Sequence, residues 1–248
     1  MLFISPPFGN YVNLPYTIPI RGSFTLEPRK GLFTQILKTL RYSKEWNGWV
    51  NKIGLRNPGL DYAIKKYYTN ASNHKKNIIS IAILSKDEIP KIKEKLPDDM
   101  NIEINVSCPN TEKGVVDKGI HVFINEKREW CIIKLAPLID FEKIDKYYEM
   151  GFRQFHCCNT YPIHRNGKFI GGLSGPSLKT INKSLINYIR LRYPESTIIS
   201  GGGIQKMSDI HDYKCIGANH FSVSSLMFSP LGFTSFYYNY VKYLNASN

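Results

Sequence analysis

The 248-residue chain is 42% hydrophobic and 21% charged, with a formal net charge of +13. Its length suits one sizeable core, close to the roughly 250 residues of a single α/β barrel. No apolar run reaches the roughly 18–20 residues needed to cross a bilayer, and Met1-Leu2-Phe3-Ile4-Ser5-Pro6-Pro7 lacks the basic and apolar regions of a signal peptide, so a cytoplasmic setting is expected.

In chain order, short β-branched runs alternate with polar or glycine-bearing loops and helical stretches, the rhythm of βα units around a parallel sheet. Strands are expected at Leu2–Pro6 and Pro19–Leu26, followed by a short helix at Leu60–Tyr68. A strand at Ile78–Leu84 and a helix at Lys86–Lys95 come next, then strands at Ile102–Ser107 and Cys131–Ala136. The helix Asp140–Met150, the strand Gln154–Cys158 and the helix Ser177–Tyr193 continue the alternation. Strands at Thr197–Gly201 and His220–Ser224 and a helix at Pro230–Leu244 end it. Several strands are apolar on both faces, as barrel strands covered by helices should be. The expected fold is α/β, a single-domain (β/α)8 TIM barrel over residues 1–248. It is trimmed in the first βα unit and between Cys108 and Trp130, where only short helices fit. Gly171–Gly175, taken alone, reads as a flexible loop.

Five cysteines, an odd number with no CxxC pair, support neither a disulfide framework nor a zinc site. Most read as buried small hydrophobes. The basic residues are spread along the chain, which describes a lysine-rich soluble surface better than a nucleic-acid-binding arm.

Active sites of such barrels lie at the C-terminal ends of the strands. There the sequence places Asn105-Val106-Ser107-Cys108-Pro109-Asn110-Thr111, Lys134-Leu135-Ala136-Pro137, Asn159-Thr160, Gly171-Gly172-Leu173-Ser174-Gly175, Gly201-Gly202-Gly203-Ile204 and Ser224-Ser225. Glycines after the seventh strand let backbone N–H groups approach a phosphate, and serine hydroxyls after the eighth add hydrogen bonds. An interior lysine such as Lys134 needs a partner or a ligand. Asparagines offer both donors and an acceptor to a planar, amide-rich molecule. A cysteine on a loop over that pocket is a base when its pKa falls toward neutrality.

These segments, in this order, resemble the dihydroorotate dehydrogenase family. Asn105–Thr111 is similar to the family's N-x-S-C/S-P-N motif. Thr25-Leu26-Glu27-Pro28-Arg29-Lys30-Gly31 and Asn51-Lys52-Ile53-Gly54-Leu55-Arg56-Asn57-Pro58-Gly59 are similar to two upstream signatures. The resemblance runs from about Ser5 to about Phe228. It implies an FMN-dependent oxidation of dihydroorotate to orotate, a step of pyrimidine biosynthesis. Cys108 would be the base for the C5 proton, as in the soluble class, and hydride would pass to flavin N5. Asn51, Ile53, Gly54, Leu55, Asn105, Asn110, Asn159 and Thr160 would hold the pyrimidine. Ser23, Asn105, Lys134, Gly175, Gly202, Gly203, Ser224 and Ser225 would hold FMN. No metal, nucleic acid or membrane partner is implied, and a homodimer is expected.

The chain departs from the family at two positions. A lysine usually ends the second strand where Gly22 stands here, and Ser224 replaces a usual glycine. Arg21 could replace the lysine only through a register shift, which normally turns a strand side chain to the other face. Two other readings stay open at this stage. One is an FMN- or pyrimidine-binding relative with lost or altered activity. The other is a flavoenzyme similar to tRNA dihydrouridine synthases, which also carry a cysteine on a barrel loop.

Overall fold

A computed structural model describes residues 1–70, 72, 74–106 and 119–246. Twelve strands occur among them: β1 (Leu2–Ile4), β2 (Thr17–Phe24), β3 (Arg41–Ser43), β4 (Gly48–Asn51), β5 (Ile78–Ile81), β6 (Ile102–Asn105), β7 (Cys131–Lys134), β8 (Gln154–Cys157), β9 (Tyr161–Arg165), β10 (Lys168–Ser174), β11 (Thr197–Gly201) and β12 (His220–Val223). The helices are α1 (Leu32–Thr39), α2 (Leu60–Ile64), α3 (Glu88–Lys95), α4 (Phe141–Glu149), α5 (Lys179–Arg192), α6 (Met207–Cys215) and α7 (Pro230–Ala246).

Eight strands close a barrel in the order β1-β12-β11-β8-β7-β6-β5-β2. Every neighbouring pair in it is parallel. The chain is a trimmed (β/α)8 TIM barrel, and its eight barrel strands are those expected from sequence. A single 3₁₀ turn, Phe8–Asn10, fills the first connection, and Ile120–Phe123 forms another before β7. The helix α4 starts where its capping residue dictates: the Asp140 carboxylate accepts the Glu142 N–H at 3.2 Å, one of the donors that a helix N-terminus leaves unpaired.

Side chains alternate between the two faces of each barrel strand. Outward residues pack against the helices in the main core, with Ile79, Ile104, Ile133, Phe155 and Ile198 from the strands meeting Ile92, Ile144, Ile189 and Ile210 from the helices. Phe3, Ile20, Ile78, Trp130, Ile132 and Ile199 form a separate cluster that plugs the barrel's lower interior. The Phe3 and Trp130 rings meet edge-on there, with centroids 5.2 Å apart, a favoured aromatic arrangement.

The four remaining strands form an antiparallel sheet, β3-β4-β10-β9. The Gly171–Gly175 segment is therefore largely strand rather than flexible loop. Its glycines serve close packing. A Cβ at Gly171 would stand 2.6 Å from the Asn51 carbonyl oxygen, and one at Gly172 would stand 2.3 Å from Thr160 Oγ1.

Gly22 sits in an irregularity where the β2–β5 register shifts between Arg21 and Phe24. Its φ is +128°, and a Cβ there would lie 2.5 Å from the Ser80 carbonyl oxygen. The Asn10 amide clasps this peptide, accepting from Gly22 N at 2.7 Å and donating to Gly22 O at 3.1 Å. A lysine at this position would collide with β5. Arg21 does not replace it. Its guanidinium is drawn away by Asn77 Oδ1 at 2.9 Å, by Asn13 Oδ1 and by the Gly9 carbonyl, and it lies 5.0 Å over the Tyr67 ring. Gly22→Ala is expected to destabilise the fold by about 2–3 kcal/mol through strain at positive φ and the backbone collision. Urea unfolding with an unchanged midpoint would refute this.

Candidate active site

Above the apolar plug the barrel interior turns polar. The parallel register sets Ser80 beside Glu103, Asn105 beside Lys134, and Lys134 beside His156. Their side chains form one connected network. Ser80 Oγ donates to Glu103 Oε1 at 2.7 Å, and the same oxygen lies 3.5 Å from Lys134 Nζ. Glu103 Oε2 is 2.6 Å from His156 Nδ1. Ser23 Oγ lies 2.9 Å from Ser80 Oγ and accepts from Asn105 Nδ2 at 3.1 Å. Asn159 Nδ2 donates to Asn105 Oδ1 at 3.3 Å, and Asn159 Oδ1 accepts the Thr160 N–H at 2.8 Å.

Glu103 is fully buried. Burial alone would push its pKa up, but the adjoining Lys134 and His156 and its hydrogen bonds outweigh that and bring it down to about 2. Burial lowers the pKa of His156 more than Glu103 raises it. At neutral pH the network thus holds an anionic Glu103 and a neutral imidazole.

A cleft opens over this network at the strand ends. Lys134, His156, Cys158, Asn159 and Thr160 line one part of it, and Gly175, Gly202, Gly203, Ser224 and Ser225 line another. Gly202 and Gly203 have φ of +92° and +84°, a backbone conformation open to glycine at little cost. The N–H groups of Gly202, Gly203 and Ser225 make no hydrogen bond to another described residue. Ser224 Oγ donates to the Pro6 carbonyl at 2.9 Å and so ties down the loop after β1. A lysine and amides at one end, with free N–H groups and a serine at the other, fit a flavin ring and its phosphate. Among the described residues, no cluster of His, Cys, Asp and Glu could hold a metal ion. A wider groove of about 590 Å³ lies elsewhere, between α6 and α7. It lacks this convergence of buried polar groups, so chemistry rather than volume identifies the site.

Asn51 reaches the rim through the second sheet. It pairs in register with Gly172, whose own neighbour is Thr160. Ile53, Gly54 and Leu55 follow β4, with Gly54 and Leu55 at φ of +69° and +55°. Asn57 pins this loop: its amide donates to Leu55 O at 2.7 Å and to Thr25 Oγ1 at 2.9 Å. Its carbonyl accepts from Gly59 N at 2.8 Å and Thr25 N at 3.2 Å. The two upstream signatures are thereby locked together. Cys108 and Asn110 lie outside the described residues. Of the other residues expected from sequence, Lys134, Asn159, Thr160, Gly175, Gly202, Gly203, Ser224 and Ser225 line the cleft, Ser23 and Asn105 join the network beneath it, and Asn51 ends β4, with Ile53, Gly54 and Leu55 in the loop that follows.

Sequence reasoning did not assign Ser80, Glu103, His156 or Asn57. The signal for Glu103 was its spacing from Asn105, because residues two apart share a strand face. Among the described cysteines, burial pushes Cys131 and Cys158 up to about 12 and Cys157 well above its ordinary value. None of these three supplies a thiolate near neutrality.

A family model described as dihydroorotate dehydrogenase matches residues 12–230. The catalytic subunit of dihydroorotate dehydrogenase B (NAD(+)) from Staphylococcus carnosus (strain TM300) is 26% identical over 214 residues, covering 77% of this chain and 70% of that protein. Dihydroorotate dehydrogenase A (fumarate) from Lactobacillus helveticus (strain DPC 4571) is 30% identical over 208 residues, covering 73% and 67%. A crystal structure of dihydroorotate dehydrogenase from Eimeria tenella, in complex with ferulenol, shares the fold at a TM-score of 0.70 and 19% identity, over 99% of this chain and 81% of that one. With the match spanning most of the barrel, the chain belongs to the dihydroorotate dehydrogenase family of oxidoreductases.

Proposed function

We propose that this chain oxidises dihydroorotate to orotate with FMN as its cofactor. The observation that carries the reading is the convergence of Asn105, Lys134 and Asn159 at the ends of adjacent strands, in a chain of this family. When bound, FMN supplies the hydride acceptor at N5 of its ring. Gly175, Gly202, Gly203, Ser224 and Ser225 would hold its phosphate end, and Ser23, Asn105 and Lys134 its ring. Asn51, Asn105, Asn110, Asn159 and Thr160, with the Ile53–Leu55 backbone, would orient the pyrimidine. Cys108 would take the C5 proton, which is acidified by the neighbouring carbonyl. That step needs a base and also donors for the developing negative charge, and the asparagine amides supply the donors.

The family match favours dihydroorotate over the tRNA substrate considered above. A relative that binds flavin without turnover remains a second reading. It rests on Gly22, which leaves the β2 wall of the cleft without a cation. No helix among the described residues is long and apolar enough to cross a membrane. The proposed setting is cytoplasmic, with a homodimer as the assembly.

Anaerobic addition of dihydroorotate to the FMN-loaded protein should bleach the yellow flavin band. Bound flavin that stays yellow would overturn the proposed activity in favour of the second reading. Lys134→Ala should weaken FMN binding roughly 10- to 100-fold, the value of a hydrogen bond to a charged group. Unchanged flavin content after dialysis would refute that role.

A further inference from the structure

The floor of the cleft carries more chemical information than its lysine alone. Glu103 divides its two oxygens. Oε1 serves Ser80 and Lys134, while Oε2 lies 2.6 Å from His156 Nδ1. An ionised carboxylate offers only lone pairs, so the imidazole nitrogen facing it carries the hydrogen. The charged groups acting on this ring are Glu103 from β6 and Lys134 from β7, and Cys158, Ser5 and Ser222 line the same cleft. The ring is neutral at ordinary pH because its burial outweighs the pull of Glu103. A neutral imidazole protonated at Nδ1 keeps the lone pair on Nε2. That nitrogen borders Gly201, where a Cβ would stand only 2.6 Å away. Both residues line the cleft.

We propose that Glu103 is a positioning residue that fixes His156 as the Nδ1–H imidazole, so that the cleft floor presents a cationic donor, Lys134, beside a neutral acceptor, His156 Nε2. Lys134 and His156 are register partners on adjacent strands, so the two groups form a pair. The pair recognises a bound molecule that offers an acceptor next to an N–H or hydroxyl donor. The flavin half of this statement rests on the proposed function; the tautomer does not.

The test is NMR of the histidine side-chain nitrogens in ¹⁵N-labelled protein stripped of flavin, with the His156 signal identified by its loss in His156→Gln. The expected wild-type signal is a protonated Nδ1 and a bare Nε2. A wild-type Nε2–H tautomer or an imidazolium overturns the proposal, and this reading needs no variant to fold. In Glu103→Gln the carbonyl is drawn to Lys134 and the amide NH₂ faces His156, so the ring should switch to Nε2–H. Retention of pure Nδ1–H in that variant removes Glu103 from the role. Adding FMN to the wild type should shift the Nε2 resonance more than that of Nδ1, and an unmoved Nε2 refutes the recognition half. Failure of dihydroorotate to bleach the flavin would count against the proposed function alone, because neither NMR readout involves that substrate.

Discussion

Cys108→Ala should lower the rate at which dihydroorotate bleaches bound flavin by roughly 100- to 10,000-fold, the usual contribution of a positioned acid–base group, with flavin content unchanged. Cys158 lines the cleft, but burial pushes its thiol up to about 12, and Cys157 is also raised. The proposed base is thus the thiol of the motif loop, Cys108, between Ser107 and Pro109. Cys108→Ser should fall between wild type and alanine, with its optimum moved to higher pH, because a hydroxyl gives up its proton less readily than a thiol. Stopped-flow flavin reduction under anaerobic conditions measures both variants. Wild-type rates in the alanine variant would remove Cys108 from the base role.

Glu103→Ala should cost about 3–5 kcal/mol of stability, the range for breaking a buried ion pair from one side. The carboxylate lies among Lys134, His156 and Ser80, with no exposure to solvent. Deleting it strands a buried ammonium and a buried imidazole N–H. Glu103→Gln keeps the volume and part of the hydrogen bonding and should cost less. The same carboxylate predicts an acid limb. Its pKa falls from an ordinary 4.5 to about 2 in the folded protein. Its stabilisation, on the order of 3 kcal/mol, is therefore complete above pH 4.5 and disappears as pH drops toward 2. Urea unfolding at pH 7 and at a series of acidic pH values should show a shallower acid slope in Glu103→Gln than in wild type. An alanine variant with the wild-type midpoint would show that the network contributes nothing.

The barrel strands were legible because each is a short β-branched run flanked by polar or glycine-bearing loops. The second sheet was not. Its β10 segment, KFIGGLS, contains two adjacent glycines that normally mark a turn, yet here they admit the Asn51 carbonyl and the Thr160 side chain. Such close approach is a tertiary fact that local pattern does not carry. Helix α1 was missed although its sequence is amphipathic, because none of its residues is buried and no core contact reinforces the pattern. Helix α6, MSDIHDYKC, buries Asp209, Ile210 and Tyr213, too short an apolar stripe to stand out. At the site, Lys134 was legible as an interior lysine needing a partner. The partner itself, Glu103, lay inside the expected strand Ile102–Ser107 and was given no role there. Gly22 was recognised as a departure from the family pattern, and its positive φ gives the physical reason that no larger residue fits.

The barrel's seam has a consequence for the order in which the chain can fold. β1 is held between β2 and β12, so Leu2–Ile4 must pair with Phe221–Val223. Ser5 and Ser222 then meet through their hydroxyls at 2.6 Å across a sequence separation of 217 residues. Closing so long a loop costs entropy before any contact rewards it. During synthesis the first strand must wait, with one edge unpaired, until the last barrel strand has emerged from the ribosome. Through that interval an apolar Leu-Phe-Ile edge is open to mispairing. The edges of the unclosed sheet are thus exposed until β12 joins β1.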